Sequence, residues 1–224
     1  MIRGITRLST TLVALGVGVA AFPAQWRKSS GIDNKLTHIN SEVAERLENT
    51  SEFQRLEADP NTEKHYSSHV MPEQHRENYV STGLFFGRQL HELDPIVFLN
   101  KKDREMTAFY HLGDKLVAAD GKIHNGVVST ILDEGLCRCG FPFLPSGRGV
   151  TAKLSLNFRN EAPPQSTLVL RAKVTETKGR KVVINGSVET FPFDGSTPSN
   201  VVADATCILV EPKWFKYFSW AQLL

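Results

Sequence analysis

Gly121-Lys-Ile-His124-Asn125-Gly126-Val-Val-Ser-Thr-Ile-Leu-Asp133-Glu134-Gly135 is the stretch on which the architecture of this chain turns. A polar trio opens an apolar run, and Ile123, Val127, Val128, Ile131, Leu132 and Leu136 leave the segment apolar on most sides. Such a helix is buried. Asp133 follows His124 by nine residues; at ~100° and ~1.5 Å per residue it lies ~180° round the helix and ~13.5 Å along it. One copy of the chain cannot easily use both ends in a single site. Two copies about a two-fold axis can join the helix start of one to the carboxylate of the other. Asp133 and Glu134, carried on a buried helix, need a partner or a task. Catalysis is one reading; a cap on a neighbouring strand or a pair with Arg138 is the other.

Around this helix the text is strand-like. Met106 to Leu112 has β-type residues. Val150, Ala152, Leu154, Leu156 and Phe158 alternate with Thr151, Lys153, Ser155, Asn157 and Arg159, a period of two. Leu168, Leu170, Ala172 and Val174 repeat the pattern, then Val182, Ile184, Gly186 and Val188 after a turn at Lys178-Gly179-Arg180. Ala203, Ala205, Cys207 and Leu209 give a last strand, stopped by Glu211-Pro212. A strand, one helix and four strands with short turns predict an α+β fold, an antiparallel sheet wrapped around one long central helix.

Upstream, Asp33 to Asp94 reads as polar and helical. Ser41-Glu-Val-Ala-Glu-Arg-Leu-Glu has Asn40 or Ser41 as cap, Val43, Leu47, Phe53 and Leu56 form an apolar stripe, and Asp59-Pro60 ends the unit. His65 and His69 have the spacing of a helical metal pair. With no glutamate after His65 and no third ligand, they read as surface histidines. The division expected is 1–30 targeting segment, 31–96 helical N-terminal extension, 97–212 sheet-and-helix domain and 213–224 aromatic tail. That tail, Lys213-Trp-Phe-Lys-Tyr-Phe-Ser-Trp-Ala-Gln-Leu-Leu, reads as a helix packed on the domain or an interfacial helix beside lipid.

A hydrophobic share of 41% and a charged share of 22% are ordinary for a soluble domain. The net charge is +2; residues 1–32 hold Arg3, Arg7, Arg27 and Lys28 and no acid, which leaves the rest at −2. No basic stripe interleaved with aromatics exists, which argues against nucleic acid. Cys137, Cys139 and Cys207 make no disulfide framework and lack zinc-knuckle spacing, so they read as reduced, buried thiols. No metal or cofactor is expected. The Arg-, Ser- and Thr-rich start points to mitochondria, inner membrane or matrix. Its uncharged run Leu8–Trp26, nineteen residues, is near the ~20 that span a bilayer but poor in large side chains. It is either cleaved or kept as a single membrane anchor; a secretory signal is the competing reading, disfavoured by the missing disulfide pattern.

The helix-opening His124-Asn125-Gly126, Asp133 nine residues on, and then Val150-Thr-Ala-Lys-Leu-Ser-Leu-Asn-Phe-Arg159 and Lys178-Gly-Arg-Lys181, in that order, resemble the hotdog-fold acyl-CoA thioesterases, in particular mitochondrial enzymes like thioesterase superfamily member 4. The likeness runs from Tyr110 to Leu209. It implies a hotdog fold, a homodimer or tetramer, and hydrolysis of a fatty acyl-CoA to free acid and CoA. It also implies that the amides of Gly126 and Asn125, in the motif begun by His124, polarise the thioester carbonyl at the positive helix end. Asp133 from the partner subunit is then general base or nucleophile, assisted by Thr151. Asn157, Arg159, Arg180, Lys181 and Asn185 match positions lining a CoA channel, where cations suit phosphates. The family has glycine where this chain has Asn125, and asparagine tolerates left-handed backbone better than other side chains. A catalytically silent hotdog dimer, acting as a mitochondrial membrane-tethered binding or assembly protein, stays open as the alternative. A hotdog hydratase would need an Asp/His pair near the helix start, which is missing.

Overall fold

The computed structural model describes residues 38–70, 79–193 and 198–215. The targeting segment and the tail beyond Phe215 lie outside them. Among the described residues no helix is long and apolar enough to cross a membrane.

Two short helices come first, α1 (Ser41–Glu48) and α2 (Ser51–Ala58). Asn40 caps the first by accepting the Val43 N–H at 3.2 Å, and Thr50 caps the second by accepting from Phe53. The upstream segment is not helical throughout, as the sequence reading had it. Thr62–Tyr66 is strand β1, followed by one turn of helix, α3 (Ser67–Val70). His65 and His69 therefore sit on different elements. The reason is pairing: β1 lies antiparallel on β2 (Ile96–Asn100), Thr62 opposite Asn100 and Tyr66 opposite Ile96. Residues 62–66 thus belong to the sheet, not to an extension beside it.

Beside three short helical turns at Val80–Leu84, Asp114–Leu116 and Phe141–Phe143, the remaining elements are β3 (Glu105–Leu112), α4 (Asn125–Gly140), β4 (Val150–Phe158), β5 (Ser166–Lys178), β6 (Lys181–Thr190) and β7 (Val201–Val210). They form one seven-stranded antiparallel sheet in the order β1-β2-β3-β5-β6-β7-β4. Helix α4 packs across its inner face, burying Val128, Ile131, Leu132 and Leu136 against Leu168, Leu170, Val182 and Ile184. Close approach explains Gly135 and Gly186: a Cβ on Gly135 would run into a Leu170 methyl, and one on Gly186 would come within 2.6 Å of both the Arg171 carbonyl oxygen and a Leu136 methyl.

The outer face of β2, β3 and β5 carries a second core. Because strand side chains alternate, Val97 and Leu99 face α4 while Ile96 and Phe98 face outward, joined by Phe109 and Val169. Val43, Leu47 and Phe53 of α1 and α2 cover them, with Phe53 edge-on to Phe98 at 5.0 Å. A bidentate ion pair of Arg171 with Glu52 ties α2 to β5. The cover does not reach β4, which ends the sheet. There Leu154 and Leu156 are only half-buried, and Val150 and Phe158 are 47% and 40% exposed.

Candidate active site

His124 is the N-cap of α4: its Nδ1 accepts the Gly126 N–H at 2.8 Å. The imidazole therefore carries its proton on Nε2, and the amide expected to meet a thioester is held by its own chain. A Cβ on Gly126 would come within 2.8 Å of that Nδ1, so glycine makes room for the cap. Asn125 is the first helical residue and is not among those with positive φ. No left-handed turn is needed there, and asparagine replaces glycine without backbone strain. His124, Asn125 and Gly126 are all exposed.

Asp133 lies on the opposite side, further along α4. Its Oδ1 accepts from Thr151 Oγ1 at 2.9 Å, on the outermost strand β4. Thr151 Oγ1 also lies 3.1 Å from Cys137 Sγ. The Asp133 carboxylate, Cys137 Sγ and Cys207 Sγ all lie within 4.8 Å of one another. The Cys137 thiol, hydrogen-bonded to the Cys207 sulfur and buried, is held above the ordinary thiol range. Sequence reasoning missed this cluster. Cys137 is one helical turn beyond Asp133, a detectable signal; Cys207 joins through the pairing of β7 with β4 and β6, which single-sequence patterns do not give.

Glu134, one residue on, points elsewhere. Burial raises its carboxyl to about 6, opposed by hydrogen bonds from the Ser81 side chain and backbone. Tyr79 and Tyr110 are likewise raised by burial, with the Glu134 charge adding to the effect. Arg138 binds Ser67, Nη1 to Oγ at 2.8 Å and Nη2 to the carbonyl at 3.2 Å, and so pins α3 to α4. Burial lowers His91 to about 4, and neither of its ring nitrogens has a hydrogen-bond partner among the described residues.

The five positions matched to a CoA channel do not converge within one chain. Arg159 binds Asp204 at 2.6 Å beside the end of β4; with its amide oxygen turned to face that guanidinium, Asn157 accepts from Arg159 Nη2 at 2.8 Å. Arg180 donates to the Glu211 carbonyl at 2.7 Å, and Lys181 pairs with Glu176 at 3.4 Å, both near Val210. Asp204 and Val210 are six residues apart on β7, so these groups are separated by ~20 Å along the strand. Asn185 accepts from Thr206 and lines a groove of about 580 Å³ on the sheet face turned away from α4, with Arg55, Arg171 and Lys173.

The thioesterase superfamily profile matches residues 120–191, from just before α4 to just past β6. Relatives extend the likeness. An uncharacterized mitochondrial protein of Candida albicans is 58% identical over 100% of both chains. MIOREX complex component 3 of Saccharomyces cerevisiae is 40% identical, covering 81% of this chain and 75% of its own. Acyl-coenzyme A thioesterase THEM4 of Rattus norvegicus is 25% identical over 51% of this chain and 50% of its own. With its helix-crossed antiparallel sheet and these relatives, the chain belongs to the hotdog-fold thioesterase superfamily.

Proposed function

We propose that this protein hydrolyses acyl-CoA thioesters in mitochondria, in a site completed by a second copy of the chain. The observation that carries the reading is the Thr151–Asp133 hydrogen bond on the open edge strand β4. It holds the half-buried Asp133 carboxylate next to a strand whose apolar side chains lack cover. A second copy docked on β4 would bury those side chains and bring its own α4 N-terminus opposite Asp133.

In that site the amides of Gly126 and Asn125 bind the thioester oxygen, after His124 has turned away from Gly126. Charge developing on that oxygen is stabilised by the donors and the positive helix end. Asp133 takes a proton from the attacking water, or attacks the carbonyl itself, while Thr151 holds the carboxylate in orientation. Water supplies the hydroxyl of the free acid, and CoA leaves as the thiol. Arg159, Asn157, Arg180, Lys181 and Asn185 are offered as contacts for CoA, drawn from both subunits. The name of the Candida albicans relative, a mitochondrial protein, supports a mitochondrial setting. The exact compartment and membrane attachment rest with residues 1–30.

Co-expression tests this. Gly126→Val and Asp133→Asn chains are each expected to release no thiol from a panel of acyl-CoAs. Their heterodimer should regain activity, because one of its two sites receives both intact halves. Confirmed mixed assembly without recovered thiol release would place the site within one chain. A second reading, a silent binding or assembly protein, draws support from the capped Gly126 amide and from a relative named as a complex component. No hydrolysis by the wild-type chain across the panel would favour it.

A further inference from the structure

Asp133 is the only carboxylate among the described residues grouped with two thiols. Cys137, in the last turn of α4, and Cys207, within β7, are buried, at 8% and 0% exposed. With the Asp133 oxygen they form a triangle within 4.8 Å. A tetrahedral zinc ion, with bonds of ~2.3 Å to sulfur and ~2.1 Å to oxygen, wants its ligands ~3.6–3.8 Å apart. Small side-chain rotations close that difference. Two thiolates select soft cations of the zinc class over magnesium or calcium.

We propose that Asp133, Cys137 and Cys207 form a binding site for a thiophilic divalent cation of the zinc class, and that filling it withdraws the carboxylate from the thioester. The inhibition rests on the thioesterase reading; the binding does not. Thr151 completes the arrangement. Its hydroxyl lies 2.9 Å from Asp133 Oδ1 and 3.1 Å from Cys137 Sγ, placed to donate to a ligand atom or to take the fourth position. The exposed face of β4 gives the ion an entry from solvent. Binding releases two thiol protons: the cation and two thiols become a dithiolate complex, with the carboxylate as third ligand. No oxidant or reductant takes part. Cys139, two residues from Cys137, is turned ~200° round the helix and takes no part.

The test uses the full chain, kept reduced with a phosphine, and Co²⁺ as the probe. The expected result is one Co²⁺ per chain, thiolate-to-cobalt absorption in the near ultraviolet, and displacement by Zn²⁺. Cys207→Ala, and Cys137→Ser as the milder change if the first fails to fold, should weaken Co²⁺ by at least about tenfold. Cys139→Ser should bind as the wild type does. In parallel, Zn²⁺ should depress acyl-CoA hydrolysis by the wild type over the range in which it displaces Co²⁺, and leave hydrolysis by Cys207→Ala unaffected. A wild-type chain without the thiolate band, or a band that survives in both cysteine variants, overturns the site. Co²⁺ binding with hydrolysis undiminished by Zn²⁺ overturns the inhibition. A chain that binds Co²⁺ in this way but hydrolyses no acyl-CoA supports the site and counts against the thioesterase reading alone.

Discussion

His124 Nδ1 accepts the Gly126 amide at 2.8 Å, so α4 begins by closing on its own cap. In the proposed reaction that amide has a second claimant, the thioester oxygen, and the imidazole acts as a gate. His124→Ala is expected to cost about 1 kcal/mol of stability through the lost cap. It should leave kcat/KM for an acyl-CoA unchanged or higher. A fall of more than about tenfold, about 1.4 kcal/mol in the barrier, would instead make His124 a participant in the chemistry.

Asp133→Asn keeps shape and loses the base. Turnover is expected to fall about 10²- to 10⁴-fold, with stability within about 1 kcal/mol of wild type. Thr151→Val removes only the hydroxyl that orients the carboxylate, so its loss should be smaller. Steady-state thiol release from both variants ranks them; equal losses would promote Thr151 from orienting group to reactant.

Gly135 is where α4 rests on β5. Alanine there would press its methyl into Leu170, at about 1–3 kcal/mol for overpacking, more than the ~1 kcal/mol gained in helix propensity. The urea midpoint of Gly135→Ala should therefore fall. A rise would mean that the helix can shift off the sheet at little cost.

Glu134 gives the fold a pH signature. Its carboxyl titrates at about 6 in the folded chain, against an ordinary 4.5. Between those values the folded state holds more protons than the unfolded one, so this group's contribution is greatest below 4.5 and is lost as pH rises through 6. The loss amounts to about 2 kcal/mol. Glu134→Gln should remove it and be more stable than wild type at pH 8 by about 1–2 kcal/mol, but not at pH 4. His91, lowered to about 4 by burial, titrates the other way, losing stability as pH falls from 6.5. It is present in both proteins and cancels from the difference in their urea midpoints.

The inner layer was legible because its physics is local. Leu168, Leu170, Ala172 and Val174 alternate on β5, and Val127 to Leu136 make a helix apolar on most sides, so strand, helix and layer order follow. Ile96–Asn100 hid its role because a strand covered on both faces has no alternation to read. Thr62–Tyr66 is polar, and only its pairing with that hidden strand makes it a strand. At the site, Asp133 and Thr151 are eighteen residues apart yet touch, a meeting set by the packing of α4 against β4. Strand register separates Arg159 from Arg180, and the packing of α4 on β7 brings Cys207 to Asp133, which no spacing along the chain announces.

The sheet is unevenly clothed. β5 lies in its middle, with α4 over Leu168 and Leu170 and the α1–α2 pair over Val169, while β4 has one neighbouring strand and an open edge. Local unfolding follows such differences. Backbone amides should therefore exchange with deuterium faster along β4 than along β5 in a dilute sample, and in the proposed dimer those of β4 should slow as concentration rises. When β4 frays it carries Thr151 away from Asp133 and leaves the rest of the sheet intact. The strand that steadies the half-buried Asp133 carboxylate is thus an edge strand, and in the proposed dimer the residence of a partner on it becomes a setting for how firmly the carboxylate is held.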